Sequence, residues 1–433
     1  MNSERPAAVL GPWTCTALVV GNTIGASIFV MPAALAPFGV NALIGWAVTA
    51  AGCLALAAIF ARMARRYPDA KSPYDYLRAT QGPALAFLAV WAYWASVVVG
   101  NATIAVAVVG YLVPLAPALF GHVPPPLLAL AGIWSLVAVN LAGVRAGGRV
   151  QVITTVLKLV PMVAILAVGA GVAVATPAAY AAHPPATPVG LGAIGAAASL
   201  ALFAMLGLES AAVPAARVRD PARTIPRATL WGTLAAAGIY LAVSAIALLL
   251  IPQADLGRSA APFALLLDRY ADGGGRWLSA FVVVSGLGAL NGWTLLVGEL
   301  TRSLAADGYL PRALAKLDRR GAPARALCAC AAIASVILLA AYEKSLVQGY
   351  ALLSLISTAA DLPLYLGAAL ALAVVWRRDR GPVAALTLAL AGGVYCLAAF
   401  AGAGPAPLLW LLVLLVAGAP FYLLARRNGP SRT

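Results

Sequence analysis

The chain alternates long apolar stretches with short polar ones. Apolar runs fall near 11–36, 40–61, 83–112, 126–143, 150–175, 191–215, 228–251, 278–304, 325–342, 346–375, 382–402 and 406–425. Each is about 18 residues or longer, enough for a helix to cross a hydrocarbon core of about 30 Å. Run length and polar connectors carry this signal, and an amphipathic period does not. The pattern predicts an all-α membrane protein of about twelve transmembrane helices.

Composition agrees. Of 433 residues, 63% are hydrophobic and only 10% charged, where a soluble domain uses about 25% charged residues. The net charge of +15 could suggest nucleic acid, but the Lys and Arg cluster in connectors between apolar runs. With the amino terminus in the cytoplasm, about 24 of the 29 basic residues fall on the cytoplasmic side. Arg258, Arg269, Arg276 and Lys344 fall outside, and Lys158 lies within a span. The chain is therefore expected in the cell inner membrane as a multi-pass protein with both termini cytoplasmic. Its expected surroundings are the lipid bilayer, with no nucleic acid.

The connectors 113–125 and 176–190 are rich in Pro and Ala and carry no Lys or Arg, which marks them as short outside links. The first apolar run follows Glu4 and Arg5 and is interrupted in its middle, so it reads as a retained helix rather than a signal peptide. His122 and His183 fall in connectors, and Cys328 and Cys330 stand two apart, which is neither a redox pair nor a zinc knuckle. The cysteines read as small buried hydrophobes. No metal or cofactor is expected.

Two runs are interrupted. The first holds Gly21-Asn22-Thr23-Ile24-Gly25-Ala26-Ser27 at mid-membrane. Taken alone, it reads equally as a small-residue packing face or as a stretch of unwound helix. The second, five spans later, holds Phe203-Ala204-Met205-Leu206-Gly207-Leu208-Glu209-Ser210, with Pro214 soon after. Interruptions at corresponding positions point to an inverted repeat with a binding site between them, because an odd number of spans per repeat flips the second copy. Unwinding frees amide N–H groups at the start of one half-helix and carbonyls at the end of the other. The first suit a carboxylate and the second an ammonium, so such a site can read the two ends of an amino acid.

At these residues the chain resembles the amino acid–polyamine–organocation superfamily. Within it the chain is most similar to the basic amino acid/polyamine antiporters, in particular the arginine/agmatine exchangers. The resemblance runs through Gly21 to Pro32, Gly45 to Leu56, Tyr93 to Gly110, Gly207 to Arg227, Asn291 to Leu310 and Ser357 to Tyr365. Gly-Leu-Glu-Ser followed by Asp220-Pro221-Ala222-Arg223-Thr224-Ile225-Pro226 is characteristic of the superfamily, and Gly292-Trp293-Thr294-Leu295-Leu296 of the antiporter branch. The resemblance implies a LeuT-like five-plus-five inverted repeat with discontinuous helices 1 and 6: residues 1–175, then 176–380, with two added helices in 381–433. It implies that Thr23, Ala26 and Ser27 hold the substrate's carboxylate and amine. Phe203 would stack on the substrate side chain beside Leu206. Ser96, Val97 and Asn101 would meet its far end, and Trp293 and Ser357 would complete the pocket. It further implies gating by Tyr93, Glu209 and Tyr365. The family's Gly-Ser-Gly is here Gly25-Ala26-Ser27, and its stacking Trp is Phe203, a weaker partner for a cation.

Three ionisable side chains sit at membrane depth, where a charge is expensive unless compensated. Glu209 reads either as a structural carboxyl on helix amides or as a proton-sensitive gate. Lys158 reads either as a snorkelling lysine or as a proton-coupling or site-organising group, which the resemblance implies for several proton-coupled and exchanger branches of the superfamily, though the arginine/agmatine exchangers lack it. Asp361 stands four residues from both Ser357 and Tyr365, so the three share one helical face; it can pair with a cationic substrate or with a backbone donor. Trp91, Trp94 and Trp410 read as packing or interface anchors.

The expected function is secondary transport. The expected substrate is an amino acid or polyamine, exchanged by alternating access, with a basic, arginine/agmatine-like pair favoured. A proton-coupled permease or exporter of neutral amino acids is the alternative, favoured by Lys158, Ala26 and Phe203. An enzyme would need a metal cluster, a nucleophile–base pair or paired acids, and no such motif is present in the sequence. A channel would need a charged ring or a repeated filter. Homodimerisation is left open.

Overall fold

The computed structural model describes residues 13, 16, 20, 23–67, 70, 72–142, 157–184, 187–207, 221–341 and 345–427. Among these, seven helices are long and apolar enough to cross a membrane, and five shorter apolar helices accompany them. We number the twelve in chain order. The first six are α1 (Ser27–Leu35), α2 (Val40–Arg66), α3 (Pro83–Leu112), α4 (Pro125–Leu141), α5 (Leu159–Ala175) and α6 (Leu191–Ala204). The second six are α7 (Pro221–Leu250), α8 (Gly274–Ala306), α9 (Ala324–Ala340), α10 (Leu346–Asp379), α11 (Val383–Ala403) and α12 (Pro405–Arg427). Each coincides with one of the apolar runs. Glu209, Gly21, Asn22, Cys15 and Lys344 lie outside the described residues.

Local chemistry sets the ends. Proline opens α3 and α4 at the first turn, where its missing N–H costs nothing. Gly82, at φ +89°, makes the turn into Pro83, a backbone conformation that disfavours other residues. Short polar helices also form in the connectors, at Pro73–Gln81, Gln253–Arg258 and Pro262–Tyr270. The first starts from a capping box, with Ser72 N–H donating to the Asp75 carboxylate at 3.3 Å.

The packing partners repeat at an offset of five. The contacts α3–α4, α3–α9 and α3–α10 are matched by α8–α9, α8–α4 and α8–α5. Likewise α2–α6 and α2–α10 are matched by α7–α1 and α7–α5. Pairs that are their own counterparts, α1–α6, α2–α7, α3–α8 and α4–α9, all pack directly. An offset of five is what a five-plus-five repeat produces, although α1–α10 and α6–α10 also pack without a counterpart among the principal contacts. The axis of the bundle is α3, 89% buried over its apolar window, whereas α12 is 11% buried and faces outward.

Close approach between helices uses small residues. Gly418 of α12 receives the face of Trp91, and Gly52 of α2 receives the ring of Tyr395; a Cβ at either would collide with the ring. Trp91 Nε1 also donates to Leu414 O at 2.8 Å, and Trp94 Nε1 donates to Thr301 Oγ1 at 2.7 Å. These two indoles are packing anchors, while Trp410 is exposed on α12. Cys53, Cys330 and Cys396 are buried.

Candidate transport site

The first interruption is a true break. Val20 and Thr23 are helical, Ile24 and Gly25 are not, and the helix resumes at Ser27. Ile24 N–H makes the last bond of the incoming turn, to Val20 O at 2.9 Å. The end of the incoming half-helix leaves carbonyls without intrahelical partners, and phenols from three other helices donate to carbonyls at and just after the break. Tyr240 of α7 donates to Thr23 O at 2.7 Å. Tyr350 of α10 donates to Ser27 O at 2.7 Å, and Tyr111 of α3 donates to Phe29 O at 2.8 Å. All three tyrosines are fully buried. The first-turn amides of α1 start beside them, at Ser27.

The second interruption ends α6. After Ala204 the chain tightens, with Met205 N–H bonded to Leu202 O at 2.9 Å and Leu206 N–H to Phe203 O at 3.3 Å. Gly207 then takes φ +97°. The Trp293 ring lies over it, so that a Cβ there would stand 3.2 Å from the indole.

Both breaks face one cavity of about 30 Å³. Thr23, Gly25 and Ser27 line it from the first break; Phe203, Ala204 and Leu206 line it from the second. From α3 come Tyr93, Ser96, Val97, Gly100 and Ile104; Trp293 comes from α8, and Ser357 and Asp361 from α10. Its volume is far below the several hundred cubic ångström of an open ligand pocket, so side chains must move to admit a substrate. A larger cavity of about 240 Å³ lies among α3, α4, α9 and α10, but its walls are mostly apolar, with Val106, Val109, Leu338 and Leu353 among them, and it touches neither break.

A chain of hydroxyls joins α3 to α10 at the cavity wall. Ser357 Oγ donates to Ser96 O at 2.8 Å, and Ser96 Oγ donates to Asp361 Oδ1 at 3.0 Å. Asp361 is thus met by the Ser96 hydroxyl. Gly100 faces both groups: a Cβ on it would stand in ordinary contact, 3.5 Å from Ser357 Oγ and 3.9 Å from the Phe203 ring. Phe203 in turn meets Tyr350 edge-on, with ring centroids 6.2 Å apart. Thr23 Oγ1 is buried on the cavity wall with no hydrogen-bond partner among the described residues, the condition of a group that a ligand completes.

Ten of the expected residues therefore line one cavity: Thr23, Ser27, Tyr93, Ser96, Val97, Phe203, Leu206, Trp293, Ser357 and Asp361. Four described ones do not. Ala26 is buried with its methyl toward Gly286 of α8. Asn101 is buried on α3 beside the cavity, its Oδ1 without a partner among the described residues. Tyr365 is buried edge-on against Phe60. Lys158 is 4% exposed and caps the start of α5. Gly25, Gly100, Ile104 and Ala204 join the lining without having been expected there; they bear no polar side chain that would mark them in sequence.

A broken helix and a helix end that face one cavity in an all-α membrane bundle fit the site of a secondary transporter. Comparison with known proteins gives the family. The amino acid permease family model matches residues 10–418. The cadaverine/lysine antiporter of Escherichia coli is 33% identical over 326 residues, which cover 74% of this chain and 72% of the relative. The putrescine transporter PotE of Haemophilus influenzae is 29% identical over 422 residues, covering 95% of this chain and 96% of the relative. The chain belongs to the amino acid permease family, and it is a multi-pass membrane transporter rather than an enzyme.

Proposed function

We propose that the chain exchanges a basic amino acid for a diamine across the cytoplasmic membrane by alternating access. The observation that carries this reading is the cavity lined by both helix interruptions and by the rings of Tyr93, Phe203 and Trp293. The relatives named as a cadaverine/lysine antiporter and a putrescine transporter support the substrate class. Lysine and its diamine therefore replace arginine and agmatine as the favoured pair.

In this reading Thr23, Ser27 and the first-turn amides of α1 receive the carboxylate and α-amine. Phe203, Leu206 and Trp293 enclose the alkyl chain, and Ser96, Val97, Asn101 and Ser357 lie toward its far end. Ala26 acts by fitting the break against α8. Tyr93, Glu209 and Tyr365 gate the inner side. The repeats span 1–175 and 176–380, followed by two added helices in 381–433. Both termini are cytoplasmic in the inner membrane, on the distribution of Lys and Arg.

Counterflow in proteoliposomes tests the assignment. Vesicles loaded with unlabelled lysine or cadaverine should take up labelled lysine many times faster than empty ones. Acceleration by leucine or phenylalanine alone would move the chain to the neutral amino-acid branch. Lys158, a buried cation on α5, is proposed to fix the site without sodium: uptake should be the same in sodium and choline buffers, and Lys158→Ala should lose most transport while remaining folded. A fully active Lys158→Ala protein would leave this lysine without a role in the cycle.

A further inference from the structure

Lysine and a diamine differ at one end. Lysine carries a carboxylate beside its α-amine, and a diamine carries an ammonium alone. On the exchange reading the first-turn amides of α1 meet that carboxylate, with Ser27 and the buried Thr23 Oγ1 beside them on the cavity wall. Such amides have no partner within their own helix. They favour an anion only as far as their direction is fixed.

A peptide unit is planar and trans, so the Ser27 carbonyl and the Ile28 N–H lie in one plane and point opposite ways. A group that holds the carbonyl therefore aims the N–H. Tyr350 of α10 holds it, donating to Ser27 O at 2.7 Å. Its own place is fixed, because it is fully buried and its ring meets Phe203 edge-on, at 80° and 6.2 Å between centroids. Tyr350 does not line the cavity, so it reaches a substrate through the Ser27–Ile28 peptide. Hydrogen bonds in series polarise one another, and a donor on this carbonyl makes the N–H a stronger donor in turn.

Tyr240 supplies the contrast. It donates to Thr23 O at 2.7 Å, but the N–H in that peptide plane belongs to Ile24 and is already bonded to Val20 O at 2.9 Å. Holding the Thr23 carbonyl aims no amide at a substrate.

We propose that Tyr350 is a positioning residue that aims the Ile28 amide at the substrate carboxylate, and that it thereby favours the amino acid over the diamine. This rests on the exchange reading above. A hydrogen bond from an amide to a carboxylate is charge-assisted, about twice as strong as a neutral one, and the diamine has no group that gains from it.

The test compares lysine with cadaverine, its decarboxylated counterpart, as unlabelled competitors of trace labelled lysine in counterflow. Tyr350→Phe deletes the hydroxyl and keeps the ring against Phe203. Lysine should then compete about threefold less well or worse, the loss of one hydrogen bond's effect, while cadaverine stays within about twofold of wild type. Tyr240→Phe deletes the same chemistry from the other carbonyl and should move both competitors alike, leaving their ratio unchanged. A merely structural phenol would give the two variants the same ratio. If Tyr350→Phe is lost from the membrane fraction, Tyr350→Met, which also lacks the donor, carries the same readout. A folded Tyr350 variant with the wild-type ratio overturns the proposal, as does a Tyr240→Phe ratio shifted as far as that of Tyr350→Phe. Loss of both Tyr350 variants from the membrane also overturns it, since the residue would then serve folding. Wild-type vesicles that exchange neither lysine nor cadaverine would instead overturn the exchange reading itself.

Discussion

The two helix breaks solve one problem by different means. At the first, Thr23 O beside the break and Ser27 O and Phe29 O of the following turn accept from buried phenols reaching in from α3, α7 and α10. At the second, the described residues show a tightened turn, a glycine at positive φ and an indole laid across it. The first break carries directed hydrogen bonds from fixed donors, and at the second the described residues show a ring packed closely on a glycine. Hydrogen bonds of this kind constrain direction and tolerate small changes in volume. A ring on a glycine does the reverse, because any added atom must displace it.

The contrast can be broken at the second site first. Gly207→Ala adds a methyl at φ +97° and 3.2 Å from the Trp293 ring. The backbone strain alone is about 1–2 kcal/mol, and exchange should fall more than tenfold in protein that still purifies as a monodisperse species. Near-normal counterflow in this variant would show that the α6 turn is not shape-limited. Trp293→Ala should come next, with exchange falling several-fold and the fold retained, because the cavity loses one of its walls. Unaltered flux would remove Trp293 from the substrate's path. The smallest effect is expected at the first break. Tyr240→Phe deletes one hydrogen bond, worth about 1 kcal/mol, and two phenols remain on neighbouring carbonyls. Melting in detergent should shift downward and exchange should drop by less than about fivefold. A loss larger than that of Gly207→Ala would invert the comparison.

These ties explain what could and could not be read along the chain. Spans were legible because lipid imposes a length on apolar runs: the run near 83–112 is the helix Pro83–Leu112. The runs near 40–61 and 278–304 extend by a few residues into helix ends that leave the apolar core. Polar helices such as Pro262–Tyr270 escaped a reading based on apolar length, although the Ser72–Asp75 capping box was a local signal for Pro73–Gln81. Spacing of four placed Ser357, Asp361 and Tyr365 on one face, and all three are buried. The phenol–carbonyl bonds had no such signal. Tyr350 and Ser27 are 323 positions apart, and Tyr240 stands in an apolar run where a tyrosine is unremarked. Gly100, on the cavity wall, carries no side chain to notice.

The phenols at the first break also bear on where the work of transport comes from. A carbonyl cage left open would borrow an ion from solution, and the rate would follow the concentration of that ion. A tyrosine is attached to the chain and has no concentration. On the exchange reading, the cycle then answers only to the ratios of its two cargoes across the membrane. When the outgoing diamine is in excess the incoming amino acid is drawn in, and when the ratios balance the carrier runs in both directions without net flow, whatever the salt on either side.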